Sequence, residues 1–396
     1  MFNFIYNKHF SLLNNKFIFH LVFPFFEFSY NKIVKEITCI KIFIPLYKLS
    51  LRRVGGKLIA ISRILIFKIR RNADVTLLAY LCKLLENKND LERVIFAFNN
   101  TGESSFLFGA IKNIKDEKMV LVLTKSYHID IAKIFCPNPN INCEFEPGLN
   151  WIHMKIKGYS KIFSVKGTEI ILPGLIQYFE EYENEIIRKE NPEGFYSRFN
   201  RLQLQKTIGT CEKRKPHISR RDRLFANSKM RSNSVGNKFV LLSHQSSSNE
   251  QIDFRFWIKL SFEFKKRGYD VVFNSQVNDG ANAFGKNFYT TIGEGLEIAK
   301  QACAIIGVRS GFLDLVATVN TNIISLYTDF KERPPVFSRI PALKVKKAFS
   351  LSELPEMEGC LSYKEFVLIG YDNVRNEYMK NLILQIADFV DNNSEN

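Results

Sequence analysis

Residues 299–317 read AKQACAIIGVRSGFLDLVA. The run Ala304–Val308 has no charge and no alternation, which is the pattern of a strand covered on both faces. Arg309-Ser310-Gly311 interrupts it, and FLDLVATV then resumes with helical spacing. This is a strand, a tight turn and a helix. The same unit recurs upstream. KFVLLS (Lys238–Ser243) predicts a buried strand, and HQSSSNEQ a polar loop. Asp253 can N-cap the helix FRFWIKLSFEFKKR, which Gly268 ends. YDVVFNS predicts the next strand, followed by a loop over 276–287. Thr291 with Glu294 forms a capping box for GLEIAKQACA. Downstream, NIISLYT predicts a further strand. Strands alternating with helices make a doubly wound, Rossmann-like domain. It lacks the glycine signature G-x-G-x-x-G of dinucleotide binding, and the chain has no G-x-x-x-x-G-K-[ST].

A second set of β-α units precedes it. ADVTLLAYLCKLLEN has apolar residues at helical spacing, and Val94–Phe98 reads as a short strand. A helix opens at Thr101-Gly102, Met119–Leu123 is a strand, and SYHIDIAKIFC a helix. WIHMKIKG, YSKIFSVKG and IIRKENP continue the alternation less clearly. The expected fold is therefore α/β with two Rossmann-like domains, over residues 73–200 and 237–396.

Charge separates the rest. The 396 residues carry a net +16, with 46% hydrophobic and 24% charged residues, a globular composition. Residues 1–72 alone hold 13 Lys/Arg against Glu27 and Glu36, and 11 of the 36 Phe. This stretch reads as a basic, apolar helical arm. Its longest uncharged run, Phe17–Phe26, is half the ~20 residues that a spanning helix needs. It is also a poor match to a signal peptide. Leu58, Ile61, Ile64, Leu65 and Phe67 mingle with Lys57, Arg63, Lys68, Arg70 and Arg71. Such interleaving suits the interface of an anionic membrane surface. The alternatives are packing on the body or, less favoured, nucleic-acid binding. Residues 201–236 form a basic linker, partly helical at its start, that is either solvated or a rim facing ligand phosphates. Seven cysteines without C-x-x-C, and no H-E-x-x-H, give no zinc or disulfide framework.

The candidate chemistry lies at the strand–helix turns. Asn99-Asn100-Thr101-Gly102-Glu103-Ser104 sits at the carboxyl end of one strand, where ligands of open α/β sheets bind. Thr101, Gly102 and Ser104 are acceptor-side turn residues. Glu103 is either a general base or a first-turn acid that complements the helix dipole. In the second domain Ser310, Gly311 and Phe312 open a helix whose free N–H groups suit a diphosphate. Arg309 adds a bidentate phosphate partner, and Asp314 an acceptor for ligand hydroxyls. His244 and Ser246, on the loop leaving a neighbouring strand, complete the donor-side set.

These residues support a resemblance. IFAFNNTGESSFLFGAIK (95–112) resembles the first strand–turn–helix of heptosyltransferase-like GT-B glycosyltransferases, in which a Gly-acid pair opens the helix. Residues 238–275 and 299–317 resemble that family's nucleotide-domain opening and phosphate-holding turn. Proteins of capsule and O-antigen clusters are especially similar. The resemblance implies a GT-B fold and transfer of a sugar from a nucleotide-sugar donor to a hydroxyl of a surface-glycan or lipid-linked acceptor. It implies Glu103 as the base, where the family normally has Asp. Arg309 stands where the family often has Asp. No cofactor and no metal are expected, in keeping with the absence of D-x-D. The expected place is the cytoplasmic face of the inner membrane, peripherally bound. The alternative is a catalytically silent GT-B-like scaffold. Arg309→Ala is expected to abolish donor binding with the fold intact.

Overall fold

The structure is a computed structural model. It describes residues 76–396 except 89, 98–99, 113–117, 138–140, 151–160, 174–192, 198–199, 201–212, 247–250, 276–279, 332–338, 369–375 and 395–396. The arm (1–72), WIHMKIKG, IIRKENP, Asn99 and the expected helical start of the linker lie outside the described residues. Residues 73–396 form one compact unit that contains both large sheets.

The first sheet has the order β3-β2-β1-β5-β4. Its strands are β1 (Arg93–Ala97), β2 (Met119–Leu123), β3 (Asn142–Phe145), β4 (Lys161–Val165) and β5 (Thr168–Leu172). β1 pairs parallel with β2 and β5, and β2 with β3. Helix α1 covers residues 76–87; α2 (Thr101–Ile111) follows β1 and α3 (Ser126–Phe135) follows β2. The continuous apolar runs of β1 and β2 are explained by cover on both faces. Phe106, Phe108 and Phe135 pack on one side, and Leu77, Leu81 and Leu84 on the other. β4 departs from the parallel expectation: it pairs antiparallel with β5. Lys166 and Gly167, at φ 51° and 85°, make the two-residue reversal that a tight hairpin demands.

The second sheet has the order β13-β10-β9-β6-β7-β8, and every pairing is parallel. In chain order it contains β6 (Phe239–Ser243), β7 (Asp270–Asn274), β8 (Lys286–Phe288), β9 (Ala304–Val308), β10 (Ile323–Tyr327) and β13 (Tyr363–Val367). Two-residue strands β11 (Phe330–Lys331) and β12 (Arg339–Ile340) form a separate ladder. The helices are α4 (Arg220–Ser232), α5 (Phe254–Lys266), α6 (Ile292–Gln301), α7 (Gly311–Val316), α8 (Ala342–Phe349) and α9 (Asn376–Asn393).

Helix starts follow the local chemistry. Asp253 accepts from Arg255 N at 2.8 Å. Thr291 Oγ1 accepts from Glu294 N, and Glu294 returns the contact to Thr291 N, both at 3.2 Å. α5 buries Phe256, Trp257, Leu260 and Phe264 at helical spacing, and Gly268 follows it at φ 79°. α7 is shorter than the run FLDLVATV suggests, since backbone turns to Leu315 O and Val316 O end it.

The core is continuous between the lobes. One cluster runs from Ile95, Phe106 and Phe135 through Tyr196 to Ile305, Leu313 and Leu351. The segment at 213–219 is extended, and α4 follows it. Arg214 is not solvated, against the simplest reading of a basic linker. It is buried, with Nε and Nη2 on the two oxygens of Glu356, each at 2.9 Å, and Glu356 Oε1 also accepts from Arg214 N. Its Nη1 donates to Ser105 Oγ, and its guanidinium lies 3.7 Å above the Phe106 ring. One arginine thus ties α2 of the first lobe to the C-terminal part of the second.

Candidate functional site

Each sheet has one point where its strand order reverses, and ligands of open α/β sheets bind outside the carboxyl ends there. In the first sheet the reversal lies between β1 and β5, and α2 begins just above it. In the second it lies between β6 and β9, which end at Ser243 and Val308. Thr101–Ser104, His244 and Arg309–Gly311 therefore leave the sheets at the two reversal points.

The two turns touch. A Cβ on Gly311 would stand 2.8 Å from Gly102 N and 3.0 Å from Thr101 Cβ. A Cβ on Gly102 would stand 2.1 Å from Asp314 Oδ2 and 2.8 Å from the Tyr196 hydroxyl. Close approach thus favours glycine at both positions: the facing turn's backbone approaches Gly311, and the Asp314 and Tyr196 side chains approach Gly102.

A buried polar chain runs through this contact. Arg309 Nη2 lies 2.7 Å from Asp314 Oδ1, and both side chains are almost fully buried. Tyr196 donates to Asp314 Oδ2 at 3.0 Å. Arg309 also donates through Nε to Phe349 O at 2.8 Å and through Nη1 to Ser310 O at 2.9 Å. Tyr327 donates to Glu365 at 2.6 Å, and that carboxylate receives Leu351 N and the Ser350 hydroxyl. Burial opposes the charge on Arg309, but Asp314 outweighs it and holds the guanidinium protonated. Burial, and then Asp314, push the Tyr196 phenol well above its usual range, so it stays a neutral donor.

The expected site residues divide. Arg309, Asp314, Gly311, Ser310, Gly102 and Thr101 are brought together. Ser310 Oγ is buried there without a hydrogen-bond partner among the described residues. Glu103 is buried beside them, and one of its carboxylate oxygens accepts from Asn100 N at 3.3 Å. It thus occupies the first-turn capping position. Ser104 is fully buried. Ser246 Oγ donates to Arg309 O at 3.4 Å. His244 sits lower, with its ring edge-on among Phe254, Trp257 and Phe273 at 5.6–6.0 Å. Phe312 packs toward Gly295 of α6. Sequence reasoning missed Tyr196, Arg214 and Glu356. Tyr196 lies in GFYSRFN, which has no period, and Arg214 is one of ten Lys/Arg in residues 201–231. Among the described residues no cluster of three or more His, Cys, Asp or Glu is placed to hold a metal ion, and no helix is long and apolar enough to cross a membrane.

Comparison with solved structures finds similarities at low identity. The chain is similar to a glycosyl transferase family 9 protein from Veillonella parvula DSM 2008, with TM-score 0.46 and 10% identity over 76% of this chain and 97% of that one. It is similar to the ADP-heptose lps heptosyltransferase II of E. coli, with TM-score 0.44 and 10% identity over 75% and 100%. It is also similar to the E. coli heptosyltransferase WaaC with ADP, with TM-score 0.42 and 11% identity over 75% and 98%. No protein-family model and no curated protein matches the chain.

Proposed function

We propose that this chain is a glycosyltransferase that takes a nucleotide-sugar on the second lobe and an acceptor hydroxyl on the first. The observation that carries the reading is the meeting of the two reversal-point turns around an unsatisfied buried hydroxyl, Ser310 Oγ. A buried polar atom left unpaired costs about 1–3 kcal/mol, and a donor phosphate oxygen at Ser310 would remove that cost. α7 has only six residues, so its dipole is weak; the positive charge at this turn comes from Arg309. Arg309 stabilises the departing nucleoside diphosphate electrostatically. Asp314 and Tyr196 position Arg309. Glu103 accepts the proton of the acceptor hydroxyl. Because the Gly102 and Gly311 backbones are in contact, donor entry requires the turns to part and chemistry requires them to close again.

The finer identity follows the sequence resemblance. The acceptor is a bacterial surface-glycan precursor of the capsule, lipopolysaccharide or O-antigen type, free or lipid-linked. The transfer is metal-independent, and the protein works peripherally at the cytoplasmic face of the inner membrane, with the basic arm against anionic lipid and no nucleic-acid partner. A second reading, a catalytically silent scaffold of the same fold, has its own support: Arg309 is already paired with Asp314, and Glu103 already caps α2.

A thermal-shift series with UDP, GDP, CMP, ADP and their sugars separates the two. A ligand at 100 times its dissociation constant stabilises the fold by about 2.7 kcal/mol, several degrees or less at this size. One nucleotide class raises the melting temperature of the parent chain, and Ser310→Ala reduces that shift. No shift with any nucleotide in the folded protein leaves the scaffold.

A further inference from the structure

α4 exposes more apolar surface than it buries in large side chains, with Leu224 and Phe225 both exposed. Its inward side carries only Ala226 and Met230 as buried residues. Its only acid, Asp222, is used inward: it receives the Ser219 hydroxyl at 2.6 Å and lies against Gly293 of α6. Lys229 is also used inward, on Tyr289 O and Glu294. At 100° per residue, Arg220, Arg221, Leu224, Phe225 and Arg231 share one outward arc of about 140° with two serines, whereas Arg223 falls about 20° from the buried Met230. Leu224 is 59% exposed and Phe225 48%. The two bulkiest apolar side chains of the helix thus face outward between arginines. Arg221 lies 5.4 Å from the Phe225 ring, and none of the three outward arginines has a carboxylate partner among the described residues.

We propose that the outward face of α4 docks on an anionic lipid bilayer, with Arg220, Arg221 and Arg231 on headgroup phosphates and Leu224 and Phe225 in the acyl boundary. A solvated face would put its apolar residues inward and mix its charges. This face does neither, and cationic side chains around an apolar wedge are the composition of an interfacial helix. Nucleic acid fits less well, because Leu224 offers no stacking plane. The inference concerns a surface remote in sequence from the turn residues above and does not rest on the proposed chemistry.

The test uses the full chain. Residues 1–72 carry their own positive charge, so bulk sedimentation with vesicles is not the readout. Phe225→Trp puts an indole on the face itself, and the parent chain supplies the background of Trp151 and Trp257. With vesicles of phosphatidylcholine and phosphatidylglycerol, the added emission shifts to the blue and is quenched by brominated acyl chains. With phosphatidylcholine alone it is not. Adding Arg220→Ser, Arg221→Ser and Arg231→Ser lowers the affinity read at that indole on the order of 100-fold, at roughly a factor of five per cation. Thermal unfolding stays close to the parent value, because none of the three has a carboxylate partner among the described residues. An indole that stays unquenched, whether or not the chain sediments with the vesicles, overturns the proposal. So does quenching that survives loss of the three arginines, or a single-stranded RNA that the same variant loses while lipid contact is absent.

Discussion

Gly102, Gly311, Arg309 and Asp314 carry the argument at the scale of single residues. A methyl group on Gly311 meets backbone on the facing turn at 2.8 Å, and backbone cannot swing aside. Gly311→Ala therefore costs about 1–3 kcal/mol by overpacking, measurable as a lower melting temperature, and it weakens any ligand response at this turn. The expectation that Arg309→Ala leaves the fold intact does not survive the geometry. Removing the guanidinium leaves Asp314 buried without its countercharge. Breaking such a pair costs about 3–5 kcal/mol, so Arg309→Ala unfolds well below the parent in urea. Replacing both partners together by apolar residues of similar volume recovers most of the loss. The turn glycines were legible in the sequence because turns need glycine. The Arg309–Asp314 pair was legible only as two candidate ligands, since five positions of separation do not say which way two side chains point.

Among the elements, the helix starts were the most readable. Asp253, Thr291 and Glu294 stand at the caps their side-chain chemistry indicates, and Thr291→Ala is expected to cost about 1 kcal/mol in equilibrium unfolding. The hairpin β4–β5 was less readable. Its Lys166-Gly167 turn is visible in YSKIFSVKGTEIIL, but the regular β-α alternation before it favoured a parallel continuation. In the extended segment before α4 only Arg214 is buried, and a run of basic residues carries no mark for it. Arg214 and Glu356 join two elements far apart in the chain, and their pair gives the protein a pH signature. Burial works against the Glu356 carboxylate, but Arg214 holds its pKa below the ordinary value of 4.5. Folding therefore gains from this group fully above the unfolded value, and loses that gain as pH falls through the lower folded value. Glu356→Gln is less stable than the parent at neutral pH. Its stability falls less steeply between about pH 5 and pH 3, which denaturant titrations at several pH values would show.

At the scale of the whole molecule, both doubly wound lobes were visible in the strand–turn–helix repeats, and the residues at their reversal points were visible with them. The interface between the lobes was not. The cluster that joins Phe106, Tyr196 and Leu313 is assembled from segments whose local patterns are silent about one another. The same is true of the C-terminal helix α9, whose Ile386, Ala387 and Val390 close the far face of the second sheet. The meeting of the two turns underlies the proposal that a donor held at Ser310 and Arg309 reacts with a hydroxyl deprotonated by Glu103. The most direct measurement is the release of nucleoside diphosphate from a panel of nucleotide-sugars, with a bacterial lipid-linked glycan fraction as acceptor, for the parent chain and Glu103→Gln. Acceptor-dependent release from one donor class is expected of the parent, and release slower by about 10²–10⁴ of Glu103→Gln, which still binds that nucleotide. Full activity in Glu103→Gln, or no release by the folded parent from any donor, would contradict the proposal.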